Sequence, residues 1–105
     1  METNVIEQKL KHIAYQYLCS QNYLLSNPYP LKRNNFSLRF KFDFMHKVET
    51  AYSSLSSSLQ MIINNDFFYQ DYPGWWKGRY TAKQYSRLKK KAMNQFLEAY
   101  YETIN

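Results

Sequence analysis

Apolar side chains in this chain return at steps of three and four residues almost throughout, and only one segment departs from that period. From Asn4 to about Leu25, the residues Ile6, Leu10, Ile13, Ala14, Tyr17, Leu18 and Leu25 follow it, which predicts an amphipathic helix. Asn4 is suited to accept from the free N–H groups of the first turn, with Glu7 three residues on as its capping-box partner. Asn27-Pro28 ends the helix, because proline disfavours helical backbone in the residue before it. The stretch from Ser26 to Asn35, with Pro28, Pro30 and several polar turn-formers, reads as a loop.

The departing segment runs from Phe36 to Phe44 and alternates apolar with polar residues, the period of a half-buried strand. No other segment offers it a partner, and a lone strand is not stable. Phe36, Phe40, Phe44, Val48, Ala51 and Leu55 also recur at helical spacing. The reading adopted is an extended lead-in through about Phe42, then a helix from Asp43 as N-cap to Ser54. Ser56-Ser57-Ser58 interrupts that helix and can cap another, which carries Leu59, Ile62, Ile63 and Phe67 on one face and ends near Phe68 or Tyr69. Asp71-Tyr72-Pro73-Gly74 is a strong turn signal. A last helix starts at Thr81 as N-cap, with Gln84 as its capping-box partner, and runs to about Thr103. These elements predict an all-α fold, a compact bundle of four to five helices.

The 105 residues fit one domain over 1–105, with an N-terminal helical part to residue 50 and a second part from 51 onward. Aromatic content of 19% supplies a dense core and argues against disorder. No apolar run approaches the roughly 18 residues of a membrane span, and Glu2 and Glu7 do not suit the basic start of a signal peptide. The expectation is a cytoplasmic protein without a membrane partner. Cys19 is the one cysteine and reads as a small core or boundary residue, and His12 and His46 read as surface residues. No Cys/His cluster has zinc spacing and no glycine-rich phosphate loop is present, so no metal or cofactor is expected. Asp66 and Asp71 flank an aromatic cluster without the spacing of a carboxylate pair, and Glu98 and Glu102 read as solvated acids offsetting upstream charge. No catalytic apparatus is visible, and the chain is not expected to be an enzyme.

Charge placement says more. Net charge is +6, and beyond Ala51 all seven Lys and Arg fall within residues 77–91, a window without an acid. At about 100° per residue, Lys83, Arg87, Lys90 and Asn94 lie within roughly 60° of one another. Tyr85, Leu88, Ala92, Phe96 and Ala99 lie within about 80° on the opposite side. One helix therefore carries a core stripe and a basic-plus-amide stripe. A solvated helix face accounts for such a stripe, and so does nucleic-acid binding. Lys and Arg neutralise phosphates, and Arg and Asn can donate in pairs to base edges in the major groove.

From Ala51 to Ile63, the run Ala51-Tyr52-Ser53-Ser54-Leu55-Ser56-Ser57-Ser58-Leu59-Gln60-Met61-Ile62-Ile63 resembles the "A-L-x-x-L-x-x-x-x-R-x-I-I" opening of the C-terminal DNA-binding region of bacterial sigma factors. The run from Tyr80 to Phe96 is similar to that family's recognition helix, "V-S-x-x-x-V-x-x-I-x-x-x-A-L-x-x-L". Small phage-type and low-GC bacterial regulators carry the same kind of block. The resemblance spans residues 51–96 and implies a helix-turn-helix-like C-terminal half in a transcriptional regulator that binds duplex DNA. By that match Thr81 caps, while Tyr85, Leu88, Ala92 and Phe96 face the core. Lys83, Gln84, Arg87 and Lys91 take positions that can face DNA. Lys90 and Asn94 join them on the basic stripe, and Lys77 and Arg79 would grip the flanking backbone. The chain departs from the family by placing Pro73-Gly74-Trp75-Trp76-Lys77-Gly78-Arg79 where sigma factors have a short helix and a Leu-Gly turn.

A competing expectation is a non-enzymatic interaction module that docks a large acidic partner such as RNA polymerase or the ribosome. Tyr72, Trp75 and Trp76 would be its apolar anchor inside a basic rim. RNA binding through exposed aromatics is a third. The tryptophan pair suits either stacking on a partner or wedging beneath the last helix in place of the missing scaffold helix. The first helix is the surface through which a homodimer would form.

Overall fold

A computed structural model describes residues 2–26 and 36–102. Four α-helices carry the fold: α1 (Glu2–Ser26), α2 (Phe36–Ser53), α3 (Ser57–Ile63) and α4 (Ala82–Glu102). A π-helical turn, Asn64–Phe68, continues α3 without a break, and a single 3-10 turn, Trp75–Gly78, stands ahead of α4. Among the described residues there is no strand, so the fold is all-α.

The expected stripes form one core. Leu10, Ile13 and Ala14 from α1 meet Val48 and Ala51 from α2, then Leu59, Ile62 and Ile63 from α3 and Phe67 and Phe68 from the π turn. Ala92, Met93, Phe96 and Leu97 of α4 complete it, with Phe96 fully buried. Each large side chain in such a core contributes about 1.5–3 kcal/mol. Tyr17 meets Phe68 edge-on at 5.6 Å, and Phe68 in turn lies 6.2 Å from Phe96. Two tyrosine hydroxyls tie elements together at the rim: Tyr17 donates to Glu49 Oε2 at 2.8 Å and Tyr69 donates to Gln21 Oε1 at 2.9 Å.

Several local expectations change. α1 starts at Glu2, so Asn4 sits within its first turn and does not cap it. Its buried positions stop at Ser20, and Leu25 is 74% exposed although it continues the same stripe, because the last turn of α1 runs past the core. Cys19 is exposed, neither core nor boundary, since at about 100° per residue it points opposite Leu10. The extended lead-in through Phe42 is instead helix from Phe36, and Asp43 lies inside α2. With no strand to pair with, a helix is what satisfies the backbone N–H and C=O groups of this segment internally. Phe40 and Phe42 are exposed as a result, and the stripe is buried only from Val48 onward, with Phe44 half-buried. α2 ends one residue earlier than expected, where the Ser54 hydroxyl donates to the Ala51 carbonyl at 2.7 Å. Ser56 takes the N-cap position of α3 with extended backbone, without the side-chain cap bond expected of it. The loop expected over Ser26 to Asn35 falls at residues 27–35, and the helix end at Thr103, outside the described residues.

Two features fix the approach to α4. The Trp75 N–H donates to the Tyr72 carbonyl at 3.2 Å, closing a turn whose third residue, Gly74, has φ +80° and ψ 14°. A type II turn needs that positive φ, and a Cβ at Gly74 would also stand 3.1 Å from Lys77 Cε. The capping box forms as the spacing predicts. Thr81 N–H donates to Gln84 Oε1 at 2.9 Å, and Gln84 N–H donates to Thr81 Oγ1 at 3.1 Å.

Candidate nucleic-acid interface

The buried residues of α4 all lie in its second half, and its exposed cations all lie in its first. Lys83, Arg87, Lys90, Lys91 and Asn94 are all exposed. From Ala92 onward burial takes in Ala92, Met93, Phe96 and Leu97. On that side Phe44 meets Tyr100 edge-on at 6.4 Å, and Lys47 Nζ sits 4.5 Å above the Tyr100 ring. The exposed cations of α4 are thus confined to its first half. Lys77 in the 3-10 turn and Arg79 just after it are exposed as well. Among the described residues, none of these six cations has a carboxylate within 4.0 Å. Gln84 is exposed, with its side-chain oxygen committed to the Thr81 N–H.

The seventh cation behaves differently. Lys89 turns inward, with its Nζ 3.4 Å from Glu7 Oε2 and 3.6 Å from Asp66 Oδ2, above the rings of Phe67 and Tyr85. Glu7 also faces Lys11 one turn along α1, at 3.9 Å. Asp66 is the hub of this cluster, and its side chain is 12% exposed. Its Oδ1 accepts from the Trp75 indole N–H at 2.8 Å, and its Oδ2 accepts from the Tyr85 hydroxyl. Burial pushes the Tyr85 phenol up from its ordinary value, and the Asp66 carboxylate that it bonds, with Glu7 beyond, pushes the same way.

Both tryptophans pack on that tyrosine. Trp75 meets Tyr85 edge-on at 6.2 Å, and Trp76 stacks parallel to it at 4.3 Å. Each is half-buried, so the pair wedges against the first half of α4. Of the three aromatics expected to anchor a partner, Tyr72 alone stands well exposed, at 66%. Thirteen residues, 69–81, separate the π turn from α4, against the three or four of a simple helix-turn-helix.

The sequence reading missed Asp66, Lys89 and Glu7 as one cluster. For Lys89 a signal existed: at about 100° per residue it falls about 20° beyond Phe96 and about 40° from Tyr85, at the edge of the core side of α4. For Asp66 none did, since its partners Trp75, Tyr85 and Lys89 lie in two other elements, the 3-10 turn and α4. A surface so arranged can neutralise phosphates along one edge while its own scaffold carries no unpaired inward charge. Comparison with known proteins finds no family model, curated protein or solved structure that matches the chain.

Proposed function

We propose that the protein binds duplex DNA through the outward face of the first half of α4 and acts as a non-enzymatic regulator of transcription. One observation carries the reading. Of the seven cations between Lys77 and Lys91, six stand exposed without a carboxylate partner among the described residues, and the one that turns inward is neutralised by Glu7 and Asp66. A merely solvated helix face needs no such separation. In this reading the N-terminal half of α4 enters the major groove. Lys83, Arg87, Lys90, Lys91 and Asn94 meet phosphates and bases, Gln84 flanks them, and Lys77 and Arg79 hold the backbone alongside. The 3-10 turn and its two tryptophans stand in for a scaffold helix in bracing α4. Docking on an acidic protein such as RNA polymerase is the competing reading, and it is left with Tyr72 as its one well-exposed anchor.

Single substitutions test the assignment. Lys77→Ala and Lys91→Ala are expected to weaken binding to every duplex and to lower the salt dependence by about one counterion per lost contact. Arg87→Ala is expected to cost about 1–3 kcal/mol and to relax sequence preference at one position. Unchanged affinity and unchanged preference for Arg87→Ala would refute the recognition face.

A further inference from the structure

Beside the basic face lies an open groove of about 610 Å³ that shares only Arg79 with the proposed duplex contact. That is the size range of small-ligand sites. It runs between α3 with its π-helical turn on one side and Asp71, Tyr72 and Trp75 on the other, with Arg79 in its wall.

Its lining combines three chemistries. Tyr72, well exposed, offers a ring, and Trp75 adds apolar surface while its indole N–H stays committed to Asp66. Asn64 and Asn65 offer a pair of half-buried amides. Asn64 Nδ2 donates to Asn65 Oδ1 at 3.3 Å, which leaves the Asn64 oxygen as an acceptor and the Asn65 nitrogen as a donor side by side. Asp71 spends Oδ1 on the Tyr72 N–H at 2.8 Å and keeps its other oxygen. Arg79 has no carboxylate within 4.0 Å among the described residues, although Asp71 lines the same groove.

The backbone gives an independent reason to regard the groove as built. Asn64 and Asn65 open the π-helical turn, an irregularity that interrupts the α-helical ladder and recurs at functional sites. The Asp71 N–H bonds back to the Asn65 carbonyl at 3.0 Å and so holds the carboxylate beside the amides.

We propose that this groove binds one unpaired nucleotide of a DNA strand, its base stacked on Tyr72 with its edge against Asn64, Asn65 and Asp71, and its phosphate held by Arg79. The inference rests on the reading of α4 as a DNA-binding helix, because Arg79 then continues the phosphate track from the duplex into the groove. Charge sets the orientation: the Asp71 carboxylate repels the phosphate, and Arg79 attracts it. Hydrogen bonding sets the preference. The free oxygen of the Asp71 carboxylate can only accept, so cytosine, adenine and guanine, whose exocyclic amine can donate to it, bind better than thymine, which has no such amine.

Fluorescence anisotropy on the full chain tests this with one duplex in four forms: blunt, or with a short single-stranded extension of cytosine, thymine or abasic nucleotides on either strand. The abasic extension supplies the same phosphates without a base. The cytosine extension is expected to bind about ten-fold tighter than the abasic one, and thymine to fall between them. Tyr72→Ala removes the gain, and Tyr72→Phe keeps it. Equal affinity for the cytosine and abasic forms, or a gain that survives Tyr72→Ala, overturns the inference. The Lys83→Ala/Arg87→Ala/Lys90→Ala variant separates this failure from that of the duplex reading. Loss of blunt-duplex binding in that variant, with no base-dependent gain in the native chain, sinks the groove alone. Blunt-duplex binding unchanged in that variant sinks the reading of α4.

Discussion

Asp66 accepts from an indole N–H and a phenol and faces an ammonium, while its own side chain is 12% exposed. Removing the carboxylate leaves Trp75 and Tyr85 donors half-buried without an acceptor and deprives Lys89 of one of its two counter-charges. Asp66→Ala is therefore expected to cost about 2–4 kcal/mol, a large share of the roughly 5–15 kcal/mol that holds a typical domain together. Urea unfolding followed by tryptophan emission checks this, and a midpoint equal to that of the native chain would contradict the hub. Two carboxylate-bonded tyrosines, one in this cluster, set an alkaline limit. Tyr85 and Tyr17 both have phenols held above their ordinary value by burial first and then by a bonded carboxylate, Asp66 for one and Glu49 for the other. The unfolded chain releases these protons from about pH 10, whereas the folded chain retains them. Their contribution is fully present below about pH 10 and is lost as pH rises towards the folded values. Unfolding midpoints are expected to fall through that range, and less steeply in Tyr85→Phe.

At the scale of elements, α4 was the most legible part of the chain. Thr81 and Gln84 announce its start at three-residue spacing, and the capping box forms between them. Thr81→Ala removes one half of that box and is expected to cost about 1 kcal/mol in thermal or urea unfolding while leaving the salt dependence of any DNA binding unaltered. The start of α2 was not legible, for a definite reason. Phe36, Phe40 and Phe44 are four apart, and a step of four satisfies both the strand period of two and the helical period. Tertiary context decides such a case. The inward turn of Lys89 could be read from its helical angle, but Asp66 could not be found by any local rule. Trp75, Tyr85 and Lys89 are nine, nineteen and twenty-three residues away from it. The groove was equally hidden, because a π turn brings Asn64 and Asn65 to it and nothing in the run Ile62 to Phe68 announces that turn.

Across the molecule, charge and packing divide the labour along α4. α4 packs against α1, α2 and α3, and among the described residues no helix is long and apolar enough to cross a membrane. The first half of α4 turns Lys89 and Tyr85 inward to Glu7 and Asp66 and its other cations outward, braced by the Trp76–Tyr85 stack. Acidic residues gather on the bracing side as Glu7 and Asp66, whereas Glu98 and Glu102 stand exposed at the far end of the helix. The central claim is that the outward stripe exists to meet a phosphate backbone in duplex form. It is tested most directly by salt titration of binding to random duplex DNA, single-stranded DNA and RNA, comparing the native chain with Lys83→Ala/Arg87→Ala/Lys90→Ala. The account predicts tight, duplex-preferring binding with a steep salt slope that the triple substitution abolishes. Weak binding, indifferent both to duplex form and to those three residues, would contradict it.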